Sequence, residues 1–149
     1  MTRQNLRERE IALALSELSG KLSIHAIRDH LKERGFIIAT EDVINAWELD
    51  QARKYVQKAR KYDNPEGTGK IELVNLFEFD DKGDKRAYYR NVRECSRQEH
   101  VQLCTYWHRR GRYAEKRLLH YADVAIEIHG RRFQRSLPFK LPKKPVTAS

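Results

Sequence analysis

Apolar residues recur at helical spacing in three consecutive segments of the first half of the chain. The first segment predicts a helix over about residues 6–18. Ser23 is a favourable N-cap residue for a second helix over about residues 24–34. Thr40 is expected to cap a third helix, which the apolar pattern extends as far as residue 62.

The apolar spacing changes to a period of two after a loop rich in Asn, Pro and Gly. Alternation over residues 71–79 predicts a β-strand, and the acidic segment 80–84 predicts a tight turn. A return strand over residues 85–92 completes a hairpin. The first strand is predicted because Ile71, Leu73, Phe77 and Phe79 share one face at a period of two.

The last third of the chain contains a long helical pattern. Ser96 and Glu99 fit a capping box, and no proline interrupts the chain before Pro138. These features predict one helix over about residues 97–128, roughly 48 Å long. Its apolar and small residues follow a heptad seam, consisting of Cys104, Trp107, Gly111, Ala114, Leu118, Tyr121, Ala125 and Ile128.

A seam of this kind needs a surface to pack against. A second copy of the same helix would give a homodimer, which is the favoured interpretation. Alternatively, the stripe packs on the preceding domain, or the chain folds back near Gly111, where a glycine inside a helix costs about 1 kcal/mol.

The elements together predict an α+β protein. A three-helix domain with a β-hairpin occupies residues 1–93, and the long helix, a candidate dimerisation element, occupies residues 94–130. Residues 131–149, with three prolines, are expected to form a basic flexible tail.

Charge is concentrated at the C-terminal end of the chain. Residues 1–50 carry a net charge of −2, residues 51–95 carry +3 and residues 96–149 carry +8. A localised basic surface is typical of proteins that bind polyanions. Candidate nucleic-acid contacts are therefore Arg109, Arg110, Arg112, Lys116, Arg131, Arg132 and Arg135, followed by Lys140, Lys143 and Lys144.

The order of three helices and a hairpin over residues 5–93 resembles the winged helix-turn-helix superfamily at the level of topology. The resemblance implies that the third helix enters the major groove and that the hairpin, or wing, touches the flanking backbone. On the third helix, base contacts would come from Asn45, Glu48 and Gln51. On the wing, phosphate contacts would come from Lys82, Lys85, Arg86 and Arg90.

These features predict a cytoplasmic duplex-DNA-binding regulator or accessory factor that acts as a homodimer. One alternative is a binder of RNA or single strands. A second alternative is an interaction module or inhibitor that binds an acidic protein. In the single-strand interpretation, bases would stack on Tyr88, Tyr89, Tyr106 and Tyr113.

No metal, cofactor, membrane contact or catalytic activity is predicted. Two potential ligands, His100 and His108, would lie about 12 Å apart along one straight helix and would not share an ion. The same segment contains Cys95 and Cys104, which we expect to remain reduced. No phosphate-binding glycine loop or nucleophile signature is present, and the acidic residues Asp80, Asp81 and Asp84 suit a turn.

Overall fold

A computed structural model describes residues 3–37 and 45–143. Within them, five α-helices and a two-stranded antiparallel hairpin confirm the α+β class. The elements are α1 (Arg3–Ser16), α2 (Ile24–Glu33), α3 (Asn45–Ala59), β1 (Leu73–Phe79), β2 (Lys85–Asn91), α4 (Arg97–Arg109) and α5 (Glu115–His129). Short 3₁₀ helices occur at Val92–Glu94, Arg112–Ala114 and Arg131–Ser136. The chain forms two compact units, Met1–Asn91 (unit 1) and Val92–Ser149 (unit 2).

The core of unit 1 lies between its three helices, where α3 packs against both α1 and α2. Leu15, Ile27 and Leu31 are fully buried there. The predicted cap of α2 is confirmed, because the side chain of Ser23 accepts a hydrogen bond from the backbone N–H of Ala26 at 3.0 Å. The predicted cap of α3, Thr40, lies outside the described residues.

The hairpin is tied to the helices of unit 1 by its second strand. Tyr89 and Leu22 exchange two backbone hydrogen bonds of 2.7 and 2.5 Å. Leu22 lies between α1 and α2, so this bridge fixes the base of the hairpin beside the helices. At the other end, Asp80 Oδ1 accepts hydrogen bonds from the backbone N–H groups of Lys82 and Asp84, both at 2.9 Å.

Burial along β1 follows position along the strand and not a single face. Leu73, Val74 and Leu76 are all buried, whereas Phe79 is 66% exposed. The predicted strand is confirmed over Leu73–Phe79, but its buried residues are not confined to the face that alternation marks. The base of the strand is covered on both faces, and the ribbon then extends to an exposed turn, so Phe79 remains in solvent.

Unit 2 is built on an antiparallel pair of helices. The predicted capping box at the start of α4 is confirmed, because Ser96 and Glu99 each bond the other's backbone N–H, at 3.2 and 2.9 Å. The continuous helix over residues 97–128 is wrong. Gly111 adopts φ 86° and ψ −166°, a conformation that favours glycine, and α5 then returns along α4.

The segment after α5 is ordered where a flexible tail was predicted. Phe133, in the 3₁₀ helix Arg131–Ser136, is completely buried, and Leu137 is 9% exposed. The prediction of a flexible tail is wrong for this part of the chain. These two apolar side chains gain burial only if the backbone between them is held against the helices. Lys144 lies outside the described residues.

Candidate nucleic-acid interface

The excess positive charge belongs almost entirely to unit 2. Unit 1 has 17 Lys and Arg residues against 16 Asp and Glu residues, whereas unit 2 has 13 against 5. A net charge of +1 gives unit 1 little long-range field, and +8 on the smaller unit 2 gives a strong positive potential. Unit 2 is therefore the place where an anionic partner would be attracted.

The first group of cations surrounds the connection between α4 and α5. We call it the turn cluster, and it comprises Arg109, Arg110, Arg112 and Lys116, all of which are exposed. The local fold explains this exposure. Gly111 reverses the chain and Ala114, 3% exposed, anchors the start of α5, so the charged side chains between them point to solvent.

Two aromatic residues support guanidinium groups near this turn. Arg110 donates a hydrogen bond to the hydroxyl of Tyr106, and its guanidinium carbon lies 4.6 Å from the centre of that ring. Arg117 lies 4.7 Å from the ring centre of Trp107. Cation–π contacts of this kind hold the arginines without neutralising their charge.

The second group of cations lies on the 3₁₀ helix and is called the 3₁₀ cluster: Arg131, Arg132 and Arg135, all exposed. A 3₁₀ helix has three residues per turn, so residues three apart share a face. Arg132 and Arg135 therefore form one basic face, while Phe133 points into the core. The buried ring thus fixes the position of the arginines around it.

The following segment adds a cation near the turn cluster. Phe139 stacks on His108 near the end of α4, with ring centres 3.8 Å apart and planes 7° apart. This contact brings the next residue, the exposed Lys140, back toward the turn between the helices. Lys143 is exposed as well.

The two clusters have no acidic partners among the described residues. Within unit 2, Arg93 pairs with Glu127 at 2.8 Å, and that contact lowers the pKa of the Glu127 carboxyl. None of the cations of the turn cluster or the 3₁₀ cluster forms an ion pair with any described residue. Their charges are therefore available to a ligand.

The predicted wing cations differ in their contacts. Lys82 and Lys85 are exposed, and Lys85 Nζ lies 3.9 Å from the ring centre of Phe77, whereas Arg86 Nε is paired with Asp80 Oδ2 at 3.1 Å. Arg90 is half-buried. Part of the predicted wing surface is thus occupied by contacts within the hairpin.

The third helix presents different residues from those predicted to read bases. Glu48 is 4% exposed and lies 3.1 Å from Lys32 Nζ, so its predicted role at a base edge is wrong. Gln51 is half-buried, and the side chain of Asn45 lies outside the described residues. The exposed face of α3 instead carries Arg53 and Lys54.

The predicted dimerisation seam lies mainly inside unit 2. Burial raises the pKa of the Cys104 thiol to about 12, and Trp107 stacks on Tyr121 with ring centres 6.2 Å apart. Because α4 and α5 pack on each other, a dimer interface along one continuous helix is wrong, and the homodimer itself stays a prediction. The remaining members divide into the buried Ala114, Leu118 and Ala125 and the exposed Gly111 and Ile128.

The histidine nearest the start of α4 has a structural contact. His100 is fully buried, and its Nε2 lies 2.8 Å from the carbonyl oxygen of Val92. Its Nδ1 lies 2.7 Å from His129 Nε2. Among the described residues, no group of three or more His, Cys, Asp or Glu side chains is arranged to hold a metal ion.

The aromatic residues predicted to stack on bases separate into two pairs. Tyr88 is buried and Tyr89 is half-buried, so Tyr88 does not form a stacking surface. Tyr106 is 43% exposed and Tyr113 is 80% exposed, both beside the turn cluster. Only the second pair presents an accessible ring to a base.

Sequence reasoning missed the anchors that hold the basic segment in place. Three large apolar residues interrupt the arginines and prolines of this segment: Phe133, Leu137 and Phe139. A solvated, disordered tail is usually poor in such residues. That interruption of a basic segment was the signal that the segment packs on the helices.

No family model matches the chain, and neither a curated protein nor a solved structure shows significant similarity to it. Within the described residues, no helix combines the length and the apolar character needed to cross a membrane.

Proposed function

We propose that the protein binds nucleic acid, with duplex DNA as the main ligand, through the turn cluster and the 3₁₀ cluster of unit 2. The observation that carries the proposal is the net charge of +8 on this unit, whose clusters are exposed and have no acidic partner among the described residues. Arginine forks bind phosphate oxygens bidentately, and phosphate contacts dominate affinity for DNA.

The placement of the two clusters supports a duplex ligand. The 3₁₀ cluster lies near His100, because Phe133 contacts that ring, and the turn cluster follows His108. Eight residues of α-helix separate these histidines by about 12 Å. That separation is close to the width of the B-DNA major groove, about 12 Å, so the clusters suit phosphates on opposite sides of one groove.

Unit 1 is proposed to act as a winged-helix module. The bridge between Leu22 and Tyr89 supports the assignment, since it holds the hairpin beside the helices as a wing requires. Because Glu48 is buried and Lys54 Nζ pairs with Asp50 Oδ2 at 3.3 Å, the contact of α3 with DNA is assigned to the exposed Arg53. This cation positions the helix on a phosphate and does not by itself select a sequence.

A salt titration with matched charge variants tests the proposal. Binding of the full-length chain to a fluorescent duplex of random sequence is followed by anisotropy between about 50 and 300 mM salt. One variant carries R109Q, R112Q and K116Q, and a second carries R131Q, R132Q and R135Q. The control variant removes an equal number of positive charges, three, from exposed positions of unit 1 through R3Q, R9Q and K70Q.

Each cluster variant is expected to weaken binding and to flatten the plot of log affinity against log salt. Loss of three phosphate contacts reduces the slope by about 2.7, while the control variant keeps the wild-type slope. Equal effects of the control and the cluster variants would contradict the assignment to unit 2. Absence of duplex binding at about 50 mM salt would contradict DNA binding and favour an acidic protein as the partner.

A further inference from the structure

The turn between α4 and α5 presents an aromatic ring in the middle of a phosphate-binding surface. Tyr113 is 80% exposed, the largest exposure among the large apolar and aromatic residues of the described chain. It lies next to Arg112 and one turn before Lys116. An exposed tyrosine among solvated cations has no packing role in the fold, so its ring is free to contact a ligand.

The backbone that carries this ring is well fixed. The backbone N–H of Gly111 donates a hydrogen bond to the carbonyl oxygen of His108 at 3.2 Å. The backbone N–H of Ala114 donates one to the carbonyl oxygen of Gly111 at 3.1 Å. Because the side chain of Ala114 is buried, the residue after Tyr113 is held against unit 2. A short, anchored turn loses little conformational entropy when its side chains bind.

Arg110 lies beside this ring and contacts a second one. Its guanidinium donates a hydrogen bond to the hydroxyl of Tyr106 and lies over that ring. Interaction with the hydroxyl of Tyr113 is the largest of the effects that raise the pKa of Arg110. The guanidinium thus lies near both phenol groups, and the Tyr113 ring remains in solvent.

We infer that Tyr113 is a stacking site for an unpaired nucleic-acid base, flanked by the phosphate-binding cations of the turn cluster. The inference rests on the proposed function and adds a site for an unpaired base to the phosphate-binding surface. Aromatic rings interleaved with cations are the arrangement by which proteins hold single strands, because every base offers a face for stacking and every nucleotide a phosphate. A closed duplex offers no free base face to this ring.

Two probes of equal length test the inference with the full-length chain: an oligothymidylate that contains one 2-aminopurine, and a blunt duplex. The fluorescence of 2-aminopurine reports directly on stacking, and anisotropy reports on affinity. The variants are Tyr113→Ala, which removes the ring, and Tyr113→Phe, which keeps the ring and removes only the hydroxyl. Phe79→Ala is the matched control, since Phe79 is an exposed aromatic residue of unit 1.

The wild type, Tyr113→Phe and Phe79→Ala are expected to bind the single strand and change the 2-aminopurine signal. Tyr113→Ala is expected to bind it roughly 5- to 150-fold more weakly, to lose the signal and to keep its affinity for the blunt duplex within about two-fold. Unchanged single-strand binding by Tyr113→Ala, or equal losses on both probes, would overturn the stacking site. Salt-dependent duplex binding in that case would leave the proposed function standing, whereas absence of binding to both probes would overturn both.

Discussion

His100 should make the stability of unit 2 depend on pH. The carbonyl oxygen of Val92 only accepts hydrogen bonds, so the proton of neutral His100 lies on Nε2, at 2.8 Å from that oxygen. Nδ1 is then the acceptor for His129 Nε2–H at 2.7 Å. With His129 in this tautomer, a second proton on His100 would place two donors against each other, 2.7 Å apart.

The direction of the pKa shift agrees with this geometry. Burial lowers the pKa of His100 below its ordinary value of 6.5, and the neighbouring His129 lowers it further. The hydrogen bond to Val92 and the charge of Glu99 oppose the shift only in part. The unfolded chain therefore binds the proton at a higher pH than the folded chain does.

The sign of the effect follows from that difference in proton binding. The contribution of His100 to the free energy of unfolding is fully present above about pH 6.5 and is lost as the pH falls through the pKa of the folded state. Between these two values the loss approaches about 1.4 kcal/mol per pH unit, the limit for one proton.

The assay is urea unfolding between about pH 7.5 and 5.5, followed by tryptophan fluorescence. In a Trp47→Phe background Trp107 is the sole tryptophan, so the signal reports on α4. His100→Gln, which carries no titrating group, should lose about 1–3 kcal/mol at pH 7.5 and show a flatter decline toward acid. The control His25→Gln, an exposed residue of α2, should keep the wild-type decline.

An equally steep loss of the free energy of unfolding toward acid in His100→Gln and in the wild type would refute this prediction. An imidazole NMR signal of His100 that titrates at or above pH 6.5 in the folded protein would refute it as well. Either result would mean that the charged form of His100 is accommodated in the fold.

Three further substitutions test the architecture of unit 2. Gly111→Ala should lower the free energy of unfolding by about 1–2 kcal/mol, because φ is 86° at this position. The loss is measured as a reduced midpoint of thermal unfolding. An unchanged midpoint would show that residue 111 does not adopt a positive φ. Phe133→Ala should lower the free energy of unfolding, measured in urea, by about 3–5 kcal/mol, since the ring is fully buried. A loss below about 1 kcal/mol would mean that the 3₁₀ helix does not pack on the helices of unit 2. Ser96→Ala removes the N-cap of α4 and should lower that free energy by about 1 kcal/mol, with Ser96→Asp restoring most of it; failure of Asp to rescue would argue against capping.

The local sequence determined the elements whose signals act over short distances. Ser23 and Ser96 marked the starts of α2 and α4, because a cap involves only backbone groups within three residues. The Asp80 turn and the hairpin followed from alternation and turn chemistry. The C-terminal concentration of charge is a property of composition, and it alone placed the candidate interface in the last third of the chain.

The tertiary structure decided which of these residues reach solvent. A heptad seam is equally consistent with a dimer and with a helix that folds back, since both bury the same stripe, and only the backbone at Gly111 separates them. Glu48 and Tyr88 are of residue types that contact bases, but both side chains are buried, and Glu48 also pairs with Lys32. Phe133 turned an apparent tail into a docked helix, because burial of a ring depends on long-range contacts that local patterns do not record.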